Sequence, residues 1–326
     1  MLHSKRIRLP GWCAIMVLSL AASQAGAQSY PTRLITFLVP ATTGSSMDIM
    51  ARQIAPILSG KFGQPIVVEN RPGASGNIGV QQVARAAPDG YTVLVAANTI
   101  SAAPWLYQNL QYDPVADFAP VAKLAVTKFA LVVNPSVEAK SAAEFIALAK
   151  KNPGQINFAS PGIATPHHLA LELFRQTVGI DVTHVPYKGT AQATTDLIAG
   201  RAQAEFTPVH TILSQVQAGK LKILAIAGEK RAPWFPDIPT LGEEGIKGVD
   251  SDGWAAFFVP VRTPGGIVRR LSEETLAILA LPSLRETVFK QGVVVDPAGP
   301  DGLASLLKSD LAKWKTVVAQ GKIRAD

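Results

Sequence analysis

Cysteine is nearly absent from this chain of 326 residues, in which Cys13 is the single example. One cysteine excludes an intramolecular disulfide, a zinc–thiolate site and an iron–sulfur cluster, because each of these needs several sulfur ligands. Pro10, Gly11 and Trp12 precede Cys13, and they lack the small residues and leucine that a lipid-attachment site requires. Because Cys13 lies in a segment that we interpret below as a signal peptide, we expect no cysteine nucleophile in the mature chain. We also expect no metal site and no cofactor.

Long apolar runs are absent beyond the first 27 residues. A membrane-spanning helix needs about 20 apolar residues, so we expect no insertion of the mature chain into a membrane. Lys5, Arg6 and Arg8 precede an apolar segment at 12–22, and the small residues 25–27 follow it. This order is typical of a signal peptide over residues 1–27, cleaved after Ala27, and predicts an exported protein. The alternative interpretation is a buried N-terminal helix.

A strong charge of one sign is also missing. The formal net charge is +7, and removing the signal-peptide residues Lys5, Arg6 and Arg8 leaves about +4. No basic run with interleaved aromatic residues predicts a nucleic-acid surface. A mild positive field favours anionic ligands without identifying one. The remaining composition, 48% hydrophobic and 17% charged, predicts a globular protein with a sizeable core.

Strand-like and helix-like patterns alternate along the chain, which predicts an α/β fold with mostly parallel sheets and crossover helices. The predicted strands are 33–39, 65–69, 91–96, 129–133, 155–159, 182–185, 203–206, 222–227 and 255–259. The predicted helices are 46–62, 77–86, 141–151, 166–178, 190–199, 211–219, 264–279, 283–290 and 301–320. Pro56 lies inside the first helix and is expected to kink it or end it early.

Two apolar stretches predict a division into two lobes. Residues 121–133 are mostly extended and would carry the chain from one lobe to the other, and residues 254–261 would carry it back. We expect lobe 1 to comprise residues 31–127 plus 255–326, and lobe 2 to comprise residues 128–254.

Three predicted strands end in small, hydroxyl-bearing loops that open a helix. The first runs through Thr42, Thr43, Gly44, Ser45 and Ser46, where Ser45 and Asp48 resemble a capping box. The second contains Ser160 and places Thr165 at a helix cap before Pro166. The third ends at Gly189 and Thr190, with Thr190 at the cap. Each loop is either an ordinary helix start or part of an anion pocket, because helix N-termini offer unpaired N–H groups and positive potential.

Other polar residues leave the chemistry open. His167 and His168 are adjacent on a helix and therefore point in different directions, so capping or surface roles compete with pocket lining. Glu205 ends a strand among apolar neighbours, where it would face solvent or receive a ligand ammonium group. The loop at 69–79 matches neither G-x-G-x-x-G nor G-x-S-x-G. An exported hydrolase that uses a histidine near 167–168 remains an alternative.

Several longer motifs occur along the chain. They are Tyr30-Pro31-Thr32-Arg33, the Val68–Gly79 segment VENRPGASGNIG, the Ala87–Thr92 segment APDGYT, Tyr112-Asp113-Pro114 with Asp117-Phe118, and the His184–Gly189 segment HVPYKG. Together they resemble motifs of the Bug, or TctC-like, periplasmic solute receptors of tripartite tricarboxylate transport systems, and the resemblance extends from Tyr30 to the C-terminus.

This resemblance implies a two-lobed periplasmic binding protein that closes on a di- or tricarboxylate, an acidic amino acid or an aromatic acid. It implies partners among membrane transporter subunits, while a sensor kinase without a transport role remains an alternative. It also implies ligand contacts from loops 40–48, 160–168 and 187–190 and from segment 96–101. The candidate ligand-binding residues are Thr42, Thr43, Gly44, Ser45, Ser46, Asp48, Asn77, Asn98, Ser101, Ser160, Thr165, His167, Tyr187, Gly189, Thr190 and Glu205.

Two positions depart from the pattern of this family. Ser45 replaces the second glycine of the first loop, which adds a hydroxyl but removes easy access to positive φ. Glu205 lies where the family often has aspartate. Because both positions are expected to face the ligand, the resemblance does not identify the carboxylate.

Overall fold

The computed structural model describes residues 30–325, so the predicted signal peptide and Cys13 lie outside the described residues. The strands are β1 (Ile35–Val39), β2 (Ile66–Asn70), β3 (Thr92–Ala97), β4 (Phe118–Thr127), β5 (Phe129–Val133), β6 (Asn157–Ser160), β7 (Thr183–Pro186), β8 (Ala204–Pro208), β9 (Lys222–Ile226), β10 (Gly253–Pro260) and β11 (Val294–Ala298). The helices are α1 (Ser46–Phe62), α2 (Asn77–Ala84), α3 (Thr99–Leu106), α4 (Ala142–Lys151), α5 (Pro166–Val178), α6 (Thr190–Ile198), α7 (Val209–Gln217), α8 (Gly265–Leu279), α9 (Pro282–Lys290) and α10 (Pro300–Gly321), with a short 3-10 turn at Ala74–Gly76. Within the described range, no helix combines the length and the apolar character needed to cross a bilayer.

The strands form two sheets, and the chain passes between them at Lys128. The first sheet has the order β11-β4-β10-β3-β1-β2, and the second has the order β7-β6-β8-β5-β9. Pairs β1–β2, β1–β3, β6–β7 and β6–β8 are parallel, as crossover helices require. Pairs that involve β4, β5 or β10 are antiparallel. The α/β class is therefore confirmed, but both sheets are mixed, because the strands next to the crossings run against their neighbours.

Helices cover both faces of each sheet. On one face of the first sheet, Met50, Ile54 and Leu58 of α1 pack with the aromatic rings of Phe37 and Phe257. Helices α2, α3 and α10 cover its other face. The second sheet packs Phe158 and Phe206 against α4 and α5, while α6 and α7 cover the opposite face. Burying the sheets in this way leaves the strand ends as the places where polar loops can meet.

The C-terminal helix α10 contributes to the cores on both sides of the crossing. Leu303 and Leu307 pack in the core of the first sheet. About two turns further along the helix, Trp314, Val317 and Val318 are buried in the core of the second sheet. The lobe boundaries expected from the sequence stay a prediction, since α10 belongs by its contacts to both sheets.

Helix α1 has the predicted bounds 46–62, and Pro56 does not end it early, because Leu58 and Phe62 beyond the proline are buried in the core. Three other elements are missing from the predicted strands and helices. Strand β4 was expected only as part of an extended stretch at 121–133. Helix α3 was not predicted, since Pro104 interrupts its pattern. Strand β11 was also not predicted, and its Pro297 is tolerated because β11 is an edge strand with one paired neighbour.

Candidate functional site

A cavity of about 590 Å³ lies between loops that follow the strands of the two sheets. Its wall includes these residues predicted from the sequence: Thr42, Thr43, Gly44, Ser45, Ser46, Asn98, Thr165, His167, Gly189 and Thr190. It also includes Ala41, Met47, Ala97, Pro161 and Pro166, which belong to the expected loops and segment. Residues outside those ranges complete the wall: Thr127, Phe129, Ala191, Pro208, His210, Thr211, Gly253 and Trp254. The structure thus brings the three predicted loops together around one space. That these residues contact a ligand stays a prediction.

No aspartate, glutamate, lysine or arginine belongs to the cavity wall within the described residues. Polar contacts can therefore come from hydroxyl groups, Asn98, two histidines and the backbone. Small ligand sites usually combine an apolar wall with a few placed polar groups, and the size of this cavity is within their usual range.

Five helices of the described chain begin at the cavity. Their N-cap residues Ser45, Asn98, Thr165, Gly189 and Pro208 all belong to its wall. Each helix start carries unpaired N–H groups and about half a positive charge. Five such ends at one cavity create a positive potential without a cationic side chain, which suits an anion.

Hydrogen bonds hold the first loop in place. The Ser45 hydroxyl accepts from the Asp48 N–H at 3.2 Å, and the Asp48 carboxylate accepts from the Gly44 N–H at 3.0 Å. The carboxylate thus reaches one residue beyond the N-cap amide of a standard capping box. Asp48 also accepts from Arg52 and Asn70 at 2.9 and 3.0 Å. Burial alone would raise the pKa of Asp48, but these hydrogen bonds outweigh it and hold the pKa below its usual value.

Serine at position 45 fits this loop without backbone strain. Ser45 has φ −68°, so the left-handed conformation that favours glycine is not needed there. Gly44 carries the positive φ of +82°. The departure from the family pattern therefore adds a capping hydroxyl.

The second loop closes around Thr165. Its hydroxyl donates to the Gly162 carbonyl at 2.8 Å and accepts from the His168 N–H at 3.4 Å, as expected for the N-cap of α5. The third loop differs from expectation, because Gly189 is the N-cap of α6 and Thr190 is its first helical residue. Thr190 still belongs to the cavity wall.

His167 and His210 form a polar but uncharged part of the wall. Neither ring nitrogen of His167 has a hydrogen-bond partner within residues 30–325, and the same is true of His210 Nδ1. Burial, with a contribution from nearby His210, lowers the pKa of His167 to about 3. Burial likewise lowers the pKa of His210 to about 4. Both imidazoles are therefore neutral at pH 7.

His168 and His184 support the second loop without lining the cavity. The His184 Nε2 atom hydrogen-bonds to the Ser160 hydroxyl at 2.6 Å, and the His184 ring stacks on His168 at 4.0 Å. His168 Nδ1 accepts from the Ala164 N–H at 3.2 Å. These contacts occupy Ser160, which is fully buried and does not belong to the cavity wall.

Six predicted site residues lie outside the cavity wall, namely Asp48, Asn77, Ser101, Ser160, Tyr187 and Glu205. Internal hydrogen bonds use the polar groups of most of them. Asn77 accepts from the Tyr112 hydroxyl at 2.7 Å, Ser101 donates to the Asn98 carbonyl at 2.6 Å, and Tyr187 donates to Asp196 at 2.9 Å. These residues support the elements around the cavity, and whether any of them contacts a ligand stays a prediction.

Glu205 is the exception, because its carboxyl group has no partner. The residue is 0% exposed in the centre of the second sheet, opposite Val132 and beside Ala159. Neither carboxyl oxygen has a hydrogen-bond partner among the described residues. Burial raises the pKa of Glu205 well above its usual value. A neutral, enclosed carboxyl group does not fit the expected role as receptor for a ligand ammonium.

We expect Glu205→Gln to stabilise the protein at alkaline pH. Glu205 ionises above about pH 4.3 in the unfolded chain, whereas burial raises its pKa in the folded protein. The free energy of unfolding therefore falls as pH rises above the unfolded value. Glutamine keeps the shape and removes the proton uptake. Thermal unfolding at pH 5 and pH 8 measures the difference, with exposed Glu273→Gln as the control. An unchanged pH slope in Glu205→Gln would show that Glu205 is charged in the folded protein.

Part of the wall comes from the strands that cross between the sheets. Thr127, at the end of β4, and Phe129, at the start of β5, flank Lys128 on one crossing, and Gly253 and Trp254 begin β10 on the other. An apolar strand residue is usually interpreted as core, so periodicity alone does not identify it as cavity wall.

A buried ion pair joins the two crossings. Lys128 Nζ pairs with Asp252 Oδ2, and their side chains are only 9% and 17% exposed. Burial raises the pKa of Asp252 to about 6, although Lys128 opposes the rise. The other oxygen, Oδ1, has no partner within residues 30–325. The ion pair therefore links the two crossing segments, although removing both charges from water costs free energy.

Elements that pack on the two sheets also contact each other directly. The Trp234 indole stacks on Phe289 at 5.0 Å and donates to its carbonyl at 2.9 Å. Gly292, with φ +77°, lets His210 approach so closely that a Cβ there would lie 2.2 Å from the His210 Cβ. This contact holds His210 at its position in the wall.

Known proteins are similar to this chain in sequence and in fold. Residues 50–323 match the family described as tripartite tricarboxylate transporter family receptor. BugT of Bordetella pertussis is 32% identical over 301 residues, which cover 92% of this chain and 92% of BugT.

Solved structures extend the comparison. An R. palustris protein with adipate has a TM-score of 0.82 and 32% identity, covering 90% of this chain and 99% of the other. MatC from Rhodopseudomonas palustris with bound malate has a TM-score of 0.79 and 31% identity, covering 89% and 100%. The periplasmic binding protein BugD has a TM-score of 0.80 and 32% identity, covering 90% and 100%. These similarities confirm the expected two-lobed periplasmic binding protein fold. This chain belongs to the tripartite tricarboxylate transporter receptor family.

Proposed function

We propose that this protein is a periplasmic receptor that captures a small organic carboxylate between two lobes and delivers it to a membrane transporter. The observation that carries the proposal is the meeting of five helix N-termini at a cavity with no charged side chain in its described wall. Such helix ends stabilise a carboxylate through N–H groups and dipoles. The structures of the two similar proteins contain adipate and malate, which are both small organic carboxylates.

The same wall supports binding without catalysis. Nucleophilic catalysis by serine or threonine needs a hydrogen bond between the nucleophile and its base. Neither nitrogen of His167 nor Nδ1 of His210 has a partner in the described chain, so no hydroxyl of the wall is paired with these atoms. We therefore propose that the protein returns its ligand unchanged.

A thermal-shift screen with small carboxylic acids tests the proposal. Protein from a periplasmic extract is unfolded, freed of co-purified ligand and refolded, then mixed with mono-, di- and tricarboxylates, acidic amino acids and aromatic acids. A ligand at about 100 times its Kd adds roughly 2.7 kcal/mol, so we expect at least one class to raise the midpoint temperature by several degrees. The neutral amide of each acid is the control. Equal shifts from acids and amides, or no shift from any acid, would contradict a carboxylate receptor.

Two further experiments test where the protein is located and which membrane proteins it binds. N-terminal sequencing of the periplasmic protein is expected to begin at Gln28 if residues 1–27 are a signal peptide. Copurification in the presence of the identified acid is expected to recover membrane transporter subunits. Recovery of a sensor kinase alone would favour the alternative role in signalling.

A further inference from the structure

An acidic side chain lies at one of the five helix starts that meet at the cavity. Of the described helices that begin there, only α1 has an acidic residue in its first turn, namely Asp48. Asp48 is 4% exposed, and its carboxylate accepts from the N–H group of Gly44, which belongs to the cavity wall. A negative charge at this position opposes the positive potential of the helix start. The first loop therefore suits an anion only if another group compensates the charge of Asp48.

The guanidinium group of Arg52 provides this compensating charge. Arg52 lies one turn further along α1, and its Nε atom donates to Asp48 Oδ1 at 2.9 Å. Burial raises the pKa of Asp48, but the hydrogen bond and the charge of Arg52 help to hold the pKa below its usual value. The charged residues on either side of Asn70, Glu69 and Arg71, pair with each other. Asp48 and Arg52 are therefore both charged at pH 7, and their charges offset each other.

Asn70 connects Arg52 to the first loop. The Arg52 Nη2 atom donates to the side-chain oxygen of Asn70 at 2.7 Å. Because the oxygen is held in this way, the amide nitrogen of Asn70 points to the other side and donates to the Ala41 carbonyl and to Asp48 Oδ1, each at 3.0 Å. Ala41 and Gly44 both belong to the cavity wall. The loop is thus held at Ala41 by Asn70 and at Gly44 by Asp48.

Arg52 acts on the cavity from outside its wall. It is not one of the wall residues, and its side chain is 46% exposed. It can therefore influence a ligand only through the groups that it holds. Without Arg52, Asp48 would carry an uncompensated negative charge one hydrogen bond away from Gly44 of the wall. This charge would repel a carboxylate in the cavity, and the repulsion is strong where water is partly excluded.

Resting on the proposed receptor function, we propose that Arg52 is a positioning residue of the carboxylate site, which fixes the first loop through Asn70 and neutralises Asp48. The Asp48 carboxylate holds the backbone of the loop in place, and Arg52 prevents that carboxylate from repelling the ligand. The two roles explain how a loop with a buried acidic side chain can face an anion.

Isothermal titration of charge variants tests this proposal. The probe is the acid with the largest thermal shift, taken from a set that includes adipate, malate, glutamate and benzoate, and the temperature lies well below the unfolding midpoint of every variant. We expect Arg52→Met to weaken binding by a factor of about ten or more, because the charge of Asp48 is no longer compensated. Arg52→Lys keeps a positive charge and is expected to bind at least about threefold more tightly than Arg52→Met, although lysine lacks the two-sided contact.

A double variant separates charge compensation from a merely structural role. Asparagine at position 48 keeps an oxygen that can accept from the Gly44 N–H but carries no charge. We therefore expect Arg52→Met combined with Asp48→Asn to bind more tightly than Arg52→Met alone, with most of the lost affinity recovered. If Arg52 only stabilised the fold, a second change in the same network would weaken binding further. Should Arg52→Met fail to fold, Arg52→Lys and the double variant still decide the question.

Arg33→Met is the matched control, because it removes the same charge from an exposed ion pair with Asp89 outside the cavity wall. The inference is overturned by wild-type affinity in Arg52→Met, by an equal loss in Arg33→Met, or by a double variant that binds no better than Arg52→Met. Each of these results leaves the receptor function intact. An absence of binding by every acid to the wild-type protein would overturn the proposed function as well.

Discussion

Replacing Thr165 by aspartate is expected to abolish carboxylate binding while leaving the protein folded. Thr165 caps helix α5 and belongs to the cavity wall. Aspartate is among the best N-cap residues, and a negative charge at a helix N-terminus stabilises the helix by about 0.3–1 kcal/mol. The same charge occupies the potential that would hold the ligand. Two like charges about 4 Å apart repel by about 4 kcal/mol at an effective dielectric constant near 20, so we expect affinity to fall by a factor of about 100 or more.

Thr165→Asn is the matched control for this substitution. Asparagine has the shape of aspartate and is an equally good N-cap, but it carries no charge. Titration with whichever acid the thermal-shift screen identifies should therefore show a small change in the asparagine variant and loss of binding in the aspartate variant. Equal affinities in the two variants would place the ligand carboxylate away from the start of α5.

Replacing Lys128 by methionine is expected to destabilise the protein strongly. Methionine matches the lysine stem but leaves Asp252 buried without its partner. Removing one member of a buried ion pair typically lowers the free energy of unfolding by about 3–5 kcal/mol. The pKa of Asp252 is already raised to about 6 by burial, and loss of Lys128 raises it further. Because a raised carboxyl pKa removes stability as pH increases above the unfolded value of about 3.9, the loss should be larger at pH 8 than at pH 5.

A second ion pair supplies the control. Lys123 pairs with Asp296, whose side chain is 51% exposed. Exposed pairs contribute about 0–1 kcal/mol, so Lys123→Met should have a small effect on urea unfolding. The double variant Lys128→Met with Asp252→Leu should recover much of the lost stability, because an apolar pair needs no counter-charge. Equal losses in the two lysine variants would show that the Lys128 pair is solvated rather than buried.

The sequence predicted the features that depend on local chemistry. Alternating patterns placed most strands and helices, and Ser45 and Thr165 were recognised as helix caps because their spacing to the helix start is local. The motifs that resemble the family supplied the two-lobed architecture, which periodicity alone does not establish. The loops that meet at the cavity follow strand ends, where an open α/β sheet places its ligand.

Features that depend on tertiary packing were missed. Thr127, Phe129 and Trp254 occur in strands that resemble core, and only the crossing between the sheets exposes them to the cavity. Tyr187 was expected in the site, but its hydroxyl turns to Asp196, a partner on the helix that follows. His210 lies in the first turn of α7, and nothing in the neighbouring sequence predicts its close contact with Gly292 of a distant loop. That contact fixes the position of His210 in the cavity wall.

Helix α10 is the last element of the described chain, so both cores can be completed only after it has been made. Leu303 and Leu307 of α10 complete one core, and Trp314, Val317 and Val318 complete the other. These residues pack against elements such as β4 and α5 that were made more than a hundred residues earlier, and such distant contacts slow folding. Before the final turns are available, one face of the first sheet stays partly uncovered and the core of the second sheet stays incomplete. Folding is therefore expected to be cooperative across the whole molecule, with neither half reaching its native core while the chain is still growing.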